Sequence, residues 1–295
     1  MLRRLLFAVA AMMLLAAGAK PAERIRVVAS FSILGDMVGE VAGNRAEITT
    51  LVGPNGDAHA FEPSPTDAKA VAEADIVFVN GLGLDGWMQR LATAAGAKAR
   101  IVEASAGVPR RTMNEDGQPT TDAHAWQDLR NGVIYVQNIA AALIAVDATN
   151  ADHYRTAALA YTKKLEDLDR EVRRQIEAVP KEKRKVITSH DAFGYFGTAY
   201  GVEFLAPEGI NTATEPAARD VARLLDQIKA NGIKALFIEN IADPRMIEMI
   251  GSETGARPGG ALYSDALSEP DGPAPHYVDM FRNNVAKLVA GMRRN

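Results

Sequence analysis

The sequence predicts an α/β protein built in two parts joined by one long helix. Three observations predict it. Strand-like and helix-like patterns alternate over residues 25–103. An unbroken helical stripe follows over 150–179, and the alternation resumes from residue 185. Strands that alternate with helices form parallel sheets, because a parallel pair needs a crossover connection.

In the first part, Ile25–Ala29 reads as a strand and Ile33–Val41 as a helix stopped by Gly43. Glu47–Val52 is a second strand, ended by Gly53-Pro54. Thr66–Ala74 is a helix, Asp75–Val79 a buried strand, Trp87–Ala95 a helix and Arg100–Glu103 a fourth strand. Residues 106–123, rich in Gly, Pro, Asn, Asp and Thr, read as a loop, and Asp128–Val146 as a helix.

Over 150–179 the apolar positions are Tyr154, Ala158, Tyr161, Leu165, Leu168, Val172, Ile176 and Val179. Steps of three and four mark one face of a continuous helix, which Pro180 stops. Such a helix serves as a rigid strut. In the second part, Lys185–Thr188 and Glu203–Leu205 are strands and Glu215–Ala230 is a helix with Pro216 in its first turn. Ala235–Ile238 is a strand, Arg245–Thr254 a helix, Ala261–Tyr263 a short strand, and Pro275–Met292 the last helix. The expected division is a signal peptide 1–19, an N-terminal lobe 20–149, a linking helix 150–180 and a C-terminal lobe 181–295.

Composition narrows the function. The 295 residues are 47% hydrophobic and 24% charged, which excludes a disordered chain and a multi-span membrane protein. The net charge is −4, and the longest basic cluster, Lys181–Lys185, is short and interrupted by Glu182. A nucleic-acid binder needs a concentrated positive patch, so none is expected here. There is no cysteine. Disulfides, iron–sulfur clusters, thiolate zinc sites and cysteine nucleophiles are therefore excluded.

Arg3 and Arg4, the uncharged run Leu5–Ala17 and the small residues Ala17-Gly18-Ala19 have the order of a secretory signal peptide. No cysteine near that cleavage site offers a lipid attachment point. The expectation is an exported periplasmic protein with no lipid anchor.

Of the five histidines, three occupy similar places. His59 follows the second strand, His124 closes the long loop, and His190 follows the strand at 185–188. Asp265 follows the strand at 261–263. Ligands of open α/β sheets bind outside the carboxyl ends of strands. Two metal-capable side chains from each half can thus converge in a cleft between lobes. Imidazole and carboxylate suit zinc, and also manganese or iron. The four stand far apart in the chain, and the gaps between them match no local motif.

The flanking residues are more specific. They are His59-Ala-Phe-Glu-Pro-Ser-Pro65, Asp122-Ala-His-Ala-Trp126 and Ser189-His-Asp-Ala-Phe-Gly-Tyr-Phe196. Gly209-Ile-Asn-Thr-Ala-Thr-Glu-Pro216 and Leu262-Tyr-Ser-Asp-Ala-Leu-Ser268 follow. Together they resemble the zinc/manganese family of periplasmic solute-binding proteins of metal ABC transporters, from about Arg26 to Met292.

The resemblance implies two Rossmann-like lobes joined by a single long helix. It implies one ion in the interlobe cleft, at His59, His124, His190 and Asp265. Manganese-preferring members often carry Glu at the third position, so His190 points to Zn2+ rather than the alternative, Mn2+. Many zinc members carry a histidine-rich stretch before the second ligand, and residues 113–122 contain no histidine. The implied protein is no enzyme. It would be a monomer that delivers its ion to an ABC-transporter membrane permease, with a periplasmic metallochaperone as a further partner.

Other readings of the residues follow. A zinc-dependent hydrolase would use Glu62 as general base beside a metal-bound water, but a fourth protein ligand fills the position water needs. A surface adhesin is a third reading. Asp128 or Asp191 could orient a ligand histidine, and either could equally cap a helix. Glu115 and Asp116 could attract cations to the cleft. His153 is expected to face solvent and His276 to start a helix. Trp87 and Trp126 are expected to pack, Trp126 close to the site.

Overall fold

The computed structural model describes residues 24–295 apart from 116–117, 208, 211 and 213–216. The segment 1–19 read as a signal peptide, Asp116, and Asn211 with Ala213–Pro216 of the fourth motif lie outside the described residues.

Each half builds one four-stranded parallel sheet. In the first, β1 (Ile25–Phe31), β2 (Ala46–Val52), β3 (Ile76–Val79) and β4 (Arg100–Glu103) pair in the order β2-β1-β3-β4. In the second, β7 (Lys185–Ile187), β8 (Glu203–Leu205), β9 (Ala235–Glu239) and β10 (Arg257–Leu262) pair in the order β8-β7-β9-β10. The two halves therefore share one topology, second-first-third-fourth. Ile76–Val79 is buried on both faces, as a central parallel strand covered by helices must be.

The helices are α1 (Ser32–Ala42), α2 (Pro65–Glu73), α3 (Trp87–Ala94), α4 (Leu129–Val146) and α5 (Ala151–Glu177). After them come α6 (Gly194–Tyr200), α7 (Ala218–Asn231), α8 (Pro244–Thr254) and α9 (Tyr277–Met292). Local chemistry sets several ends. Ser64 and Asp67 form a capping box ahead of Pro65. Gly43 ends α1 at φ 55°, a conformation glycine adopts at no steric cost.

The long helix buries Tyr154, Ala158, Tyr161, Leu165, Leu168, Val172 and Ile176, the stripe read from the sequence. At 1.5 Å per residue it is about 40 Å long. It is not a free-standing strut. It lies along α4, α1, α6 and α9, helices from both halves. The main hydrophobic core is accordingly continuous, from Val27 and Phe31 through Leu165 to Phe237 and Met292. A smaller core beneath α7 and α8 belongs to the second half alone.

Five details differ from the sequence reading. Helix α6 lies between β7 and β8, where no helix was expected. Residues 106–123 are not all loop, because β5 (Thr112–Glu115) and β6 (Gln118–Thr121) form an antiparallel hairpin. The described part of α7 begins at Ala218 after extended Ala217, with Glu215 and Pro216 outside the described residues. Strand β10 starts at Arg257, since Arg257 and Pro258 already pair with β9 and the register shifts between Pro258 and Ala261. His153 is partly buried rather than solvent-facing, and its Nε2 lies 3.1 Å from the Ala42 carbonyl at the end of α1.

Candidate metal centre

The carboxyl ends of both sheets face one another across the seam between the halves, and the four predicted side chains meet there. One donor atom from each of His59, His124, His190 and Asp265 lies within 4.8 Å of all the others. His59 is carried on the loop after β2. Its peptide N–H donates to Asp57 Oδ1, and Trp87 Nε1 donates to the Ala58 carbonyl at 3.0 Å. His124 precedes a short turn leading into α4. His190 follows β7, and Asp265 follows β10.

The three imidazoles present the same nitrogen inward. His59 and His124 approach at 3.2 Å through Nε2, and His190 and His124 at 3.4 Å. Asp265 Oδ2 is 3.1 Å from His190 Nε2 and 3.2 Å from that of His59, and Oδ1 is 3.6 Å from His124. His124, His190 and Asp265 are fully buried, and the His59 side chain is 5% exposed.

The outward nitrogens are fixed by carboxylates. His124 Nδ1 lies 2.9 Å from Asp122 Oδ1, which also accepts the His124 peptide N–H. His190 Nδ1 lies 2.7 Å from Glu239 Oε2, while Glu239 Oε1 accepts the peptide N–H groups of Ser189 and His190. A carboxylate on Nδ1 holds the proton there and leaves the Nε2 lone pair pointing inward. Asp122 and Glu239 thus do the work that the sequence reading offered to Asp128 or Asp191. Asp128 caps α4 through the Arg130 N–H. The Asp122 signal was available, two residues before His124. Glu239 was hidden, because it sits at the end of a different strand, far along the chain from His190.

Without an ion the cluster holds protons. Burial alone would lower the His124 pKa, but Asp265 and Asp122 outweigh it and push it up to about 9. Burial also opposes charge on His190, and Glu239 with Asp265 again raises it. Burial would raise the Asp265 carboxyl, yet the two histidines hold it well below the usual carboxylate range. A divalent cation can replace those protons, because it supplies the positive charge that the buried carboxylates require.

Trp126 packs near the site as expected, its ring 5.2 Å from that of His124. Its Nε1 and Gln127 Nε2 both donate to the Ser264 carbonyl, at 2.9 and 2.7 Å. These bonds tie the His124 segment of one half to the residue before Asp265 in the other. His276 starts α9, as expected. Glu62 is exposed and stands outside the four-residue cluster.

Two parallel-sheet lobes closing on a buried set of three histidines and one aspartate define a metal-binding protein of the two-lobed solute-binding class. The chain belongs to the family described as zinc-uptake complex component A, periplasmic, whose profile matches residues 27–291. That family comprises solute-binding components of transporters, so the protein is a binding component of an ABC transporter for divalent metal and not an enzyme. It is 33% identical to a manganese-binding lipoprotein of Halalkalibacterium halodurans, over 92% of this chain and 89% of that one. It is 31% identical to an iron ABC transporter substrate-binding lipoprotein of Streptococcus pyogenes, over 92% and 90%. Among solved structures it superposes on the periplasmic zinc-binding protein TroA of Treponema pallidum with a TM-score of 0.87. That alignment has 28% identity and covers 92% of this chain and all of the other.

Proposed function

We propose that the protein captures one zinc ion in the periplasm through His59, His124, His190 and Asp265 and delivers it to a membrane permease for uptake. The observation that carries this reading is the spacing of the donors. An ion about 2.0–2.1 Å from each of four donors at tetrahedral corners needs donor–donor edges of roughly 3.3 Å. Five contacts among the donors run from 3.1 to 3.6 Å, the longest through the second oxygen of Asp265, and the whole set lies within 4.8 Å. Three imidazoles and one carboxylate are a zinc donor set, and hard-ion sites are richer in oxygen.

A manganese or mixed-metal protein is the second reading. Both oxygens of Asp265 face the histidines, at 3.2 Å from His59 and 3.6 Å from His124. A two-oxygen carboxylate would supply a fifth donor. Metal analysis of protein purified from the periplasm decides between them, because zinc outbinds manganese at almost any nitrogen and oxygen site and relative affinity alone does not discriminate. Manganese as the ion recovered with the protein would overturn the first reading.

The same reading divides the exported chain into a lobe 20–149, a linking helix 150–180 and a lobe 181–295, working as a monomer. A periplasmic metallochaperone would be a further partner. The two relatives named above are lipoproteins, which is at odds with an unanchored protein. Release by osmotic shock, without detergent, tests the unanchored reading.

A further inference from the structure

Three of the four donors are sealed, which raises the question of how an ion reaches them. His124, His190 and Asp265 have no solvent exposure, and only the His59 side chain retains any. One cavity of about 610 Å³ touches this exposed edge. Its walls include His59, Leu82, Glu103, Arg110 and Thr120 of the first half and Ile210 of the second, so it lies mainly against the first lobe and the β5–β6 hairpin and reaches the seam at Ile210. His190 and Asp265 are not among its walls. A second groove of about 310 Å³, between Asp36 and Pro270, opens elsewhere on the seam and touches none of the four donors.

We propose that the cavity beside His59 is the vestibule through which the metal ion enters and leaves, with His59 the first ligand met on the way in and the last released. This rests on the reading of the four residues as the metal site. Elsewhere among the described residues, hydrogen bonds close the seam next to the donors. Trp126 and Gln127 are bonded across it to the Ser264 carbonyl, and the Asn55 N–H donates to the Leu267 carbonyl at 2.9 Å. The vestibule mouth carries exposed Arg110, whose charge repels an incoming cation, alongside Glu103, whose charge attracts it. The balance of these two sets the capture rate without touching the bound ion.

Stopped-flow measurement of zinc association and of dissociation into a chromogenic chelator tests this on the full chain. Thr120→Trp and Leu82→Trp narrow the vestibule. A barrier on the path that leaves the bound state alone must change both rates alike. Each variant is therefore expected to slow association and dissociation by the same factor, about fivefold or more, with Kd unchanged. Pro270→Trp, at the other groove, is expected to keep wild-type rates. Arg110→Glu is expected to raise the association rate several-fold at low ionic strength, an effect that fades with salt. Wild-type rates in both vestibule variants, slowing by Pro270→Trp, or no response to Arg110→Glu would overturn the vestibule while leaving zinc binding intact. Failure of the wild-type protein to bind zinc at all would instead overturn the functional reading.

Discussion

The Arg111 guanidinium lies 2.7 Å from Asp122 Oδ2, the carboxylate oxygen that His124 does not use. Arg111 precedes β5, and its own N–H donates to the Tyr195 hydroxyl of the other half at 2.9 Å. Burial would raise the Asp122 pKa, but His124 and Arg111 lower it, so Asp122 stays a carboxylate beneath His124. The guanidinium also runs across Gly194, where a Cβ would stand 2.8 Å from Asp122 Oδ2 and overlap Arg111.

From this relay, Asp122→Asn is expected to weaken zinc binding about 10–100-fold, the usual cost of losing a carboxylate behind a ligand histidine. Arg111→Ala and Gly194→Ala should fall in the same direction with smaller effect. Isothermal titration measures all three, and wild-type affinity in Asp122→Asn would contradict the relay.

Glu239→Gln should act by a different route at similar size. A glutamine oxygen can still accept from Ser189 and His190, but its NH2 then faces His190 Nδ1. That forces the ring proton onto Nε2, the nitrogen that faces the cluster. A loss of about 10–100-fold in affinity is the expected signature.

Truncating a donor itself should cost more. His190→Ala is expected to weaken zinc binding by orders of magnitude, since it removes a ligand and leaves Glu239 and Asp265 short of positive charge. Competition against a chelator of known affinity checks this. Unchanged affinity after replacing all three histidines would sink the assignment.

Zinc must displace protons from the cluster. With His124 held near 9 rather than the free-imidazole 6.5, affinity should rise with pH across 6 to 8, about tenfold per unit for each proton displaced. Histidines with an unperturbed pKa of about 6.5 would instead place the window below about pH 6. A flat affinity from pH 6 to 8 would contradict the raised pKa.

The same shift gives a stability prediction for the metal-free protein. The folded pKa of His124 lies above its unfolded value, so its stabilising contribution is complete below pH 6.5 and is lost as pH rises through 9. The loss is at most about 3 kcal/mol. Thermal unfolding of metal-free protein should therefore show a melting temperature that falls between pH 6.5 and 9.5. The zinc-loaded protein, whose ligands are already neutral, should not show it.

The architecture and the donors were legible in the sequence. Apolar spacing is a local quantity, so the alternating elements and the buried face of α5 were readable from residues a few positions apart. His59, His124, His190 and Asp265 were readable because each sits in a short motif at a strand end or loop end. What stands behind and around them depends on tertiary contacts. Glu239 reaches His190 across the sheet, and Trp126 reaches Ser264 across the seam. No local pattern encodes pairs so distant in the chain. They exist because β9 lies beside β7 and because the two halves share one core around α5. The raised pKa of His124 has the same origin. It needs Asp265 brought from the other half to a ring near the middle of the chain, in a space from which water has been removed.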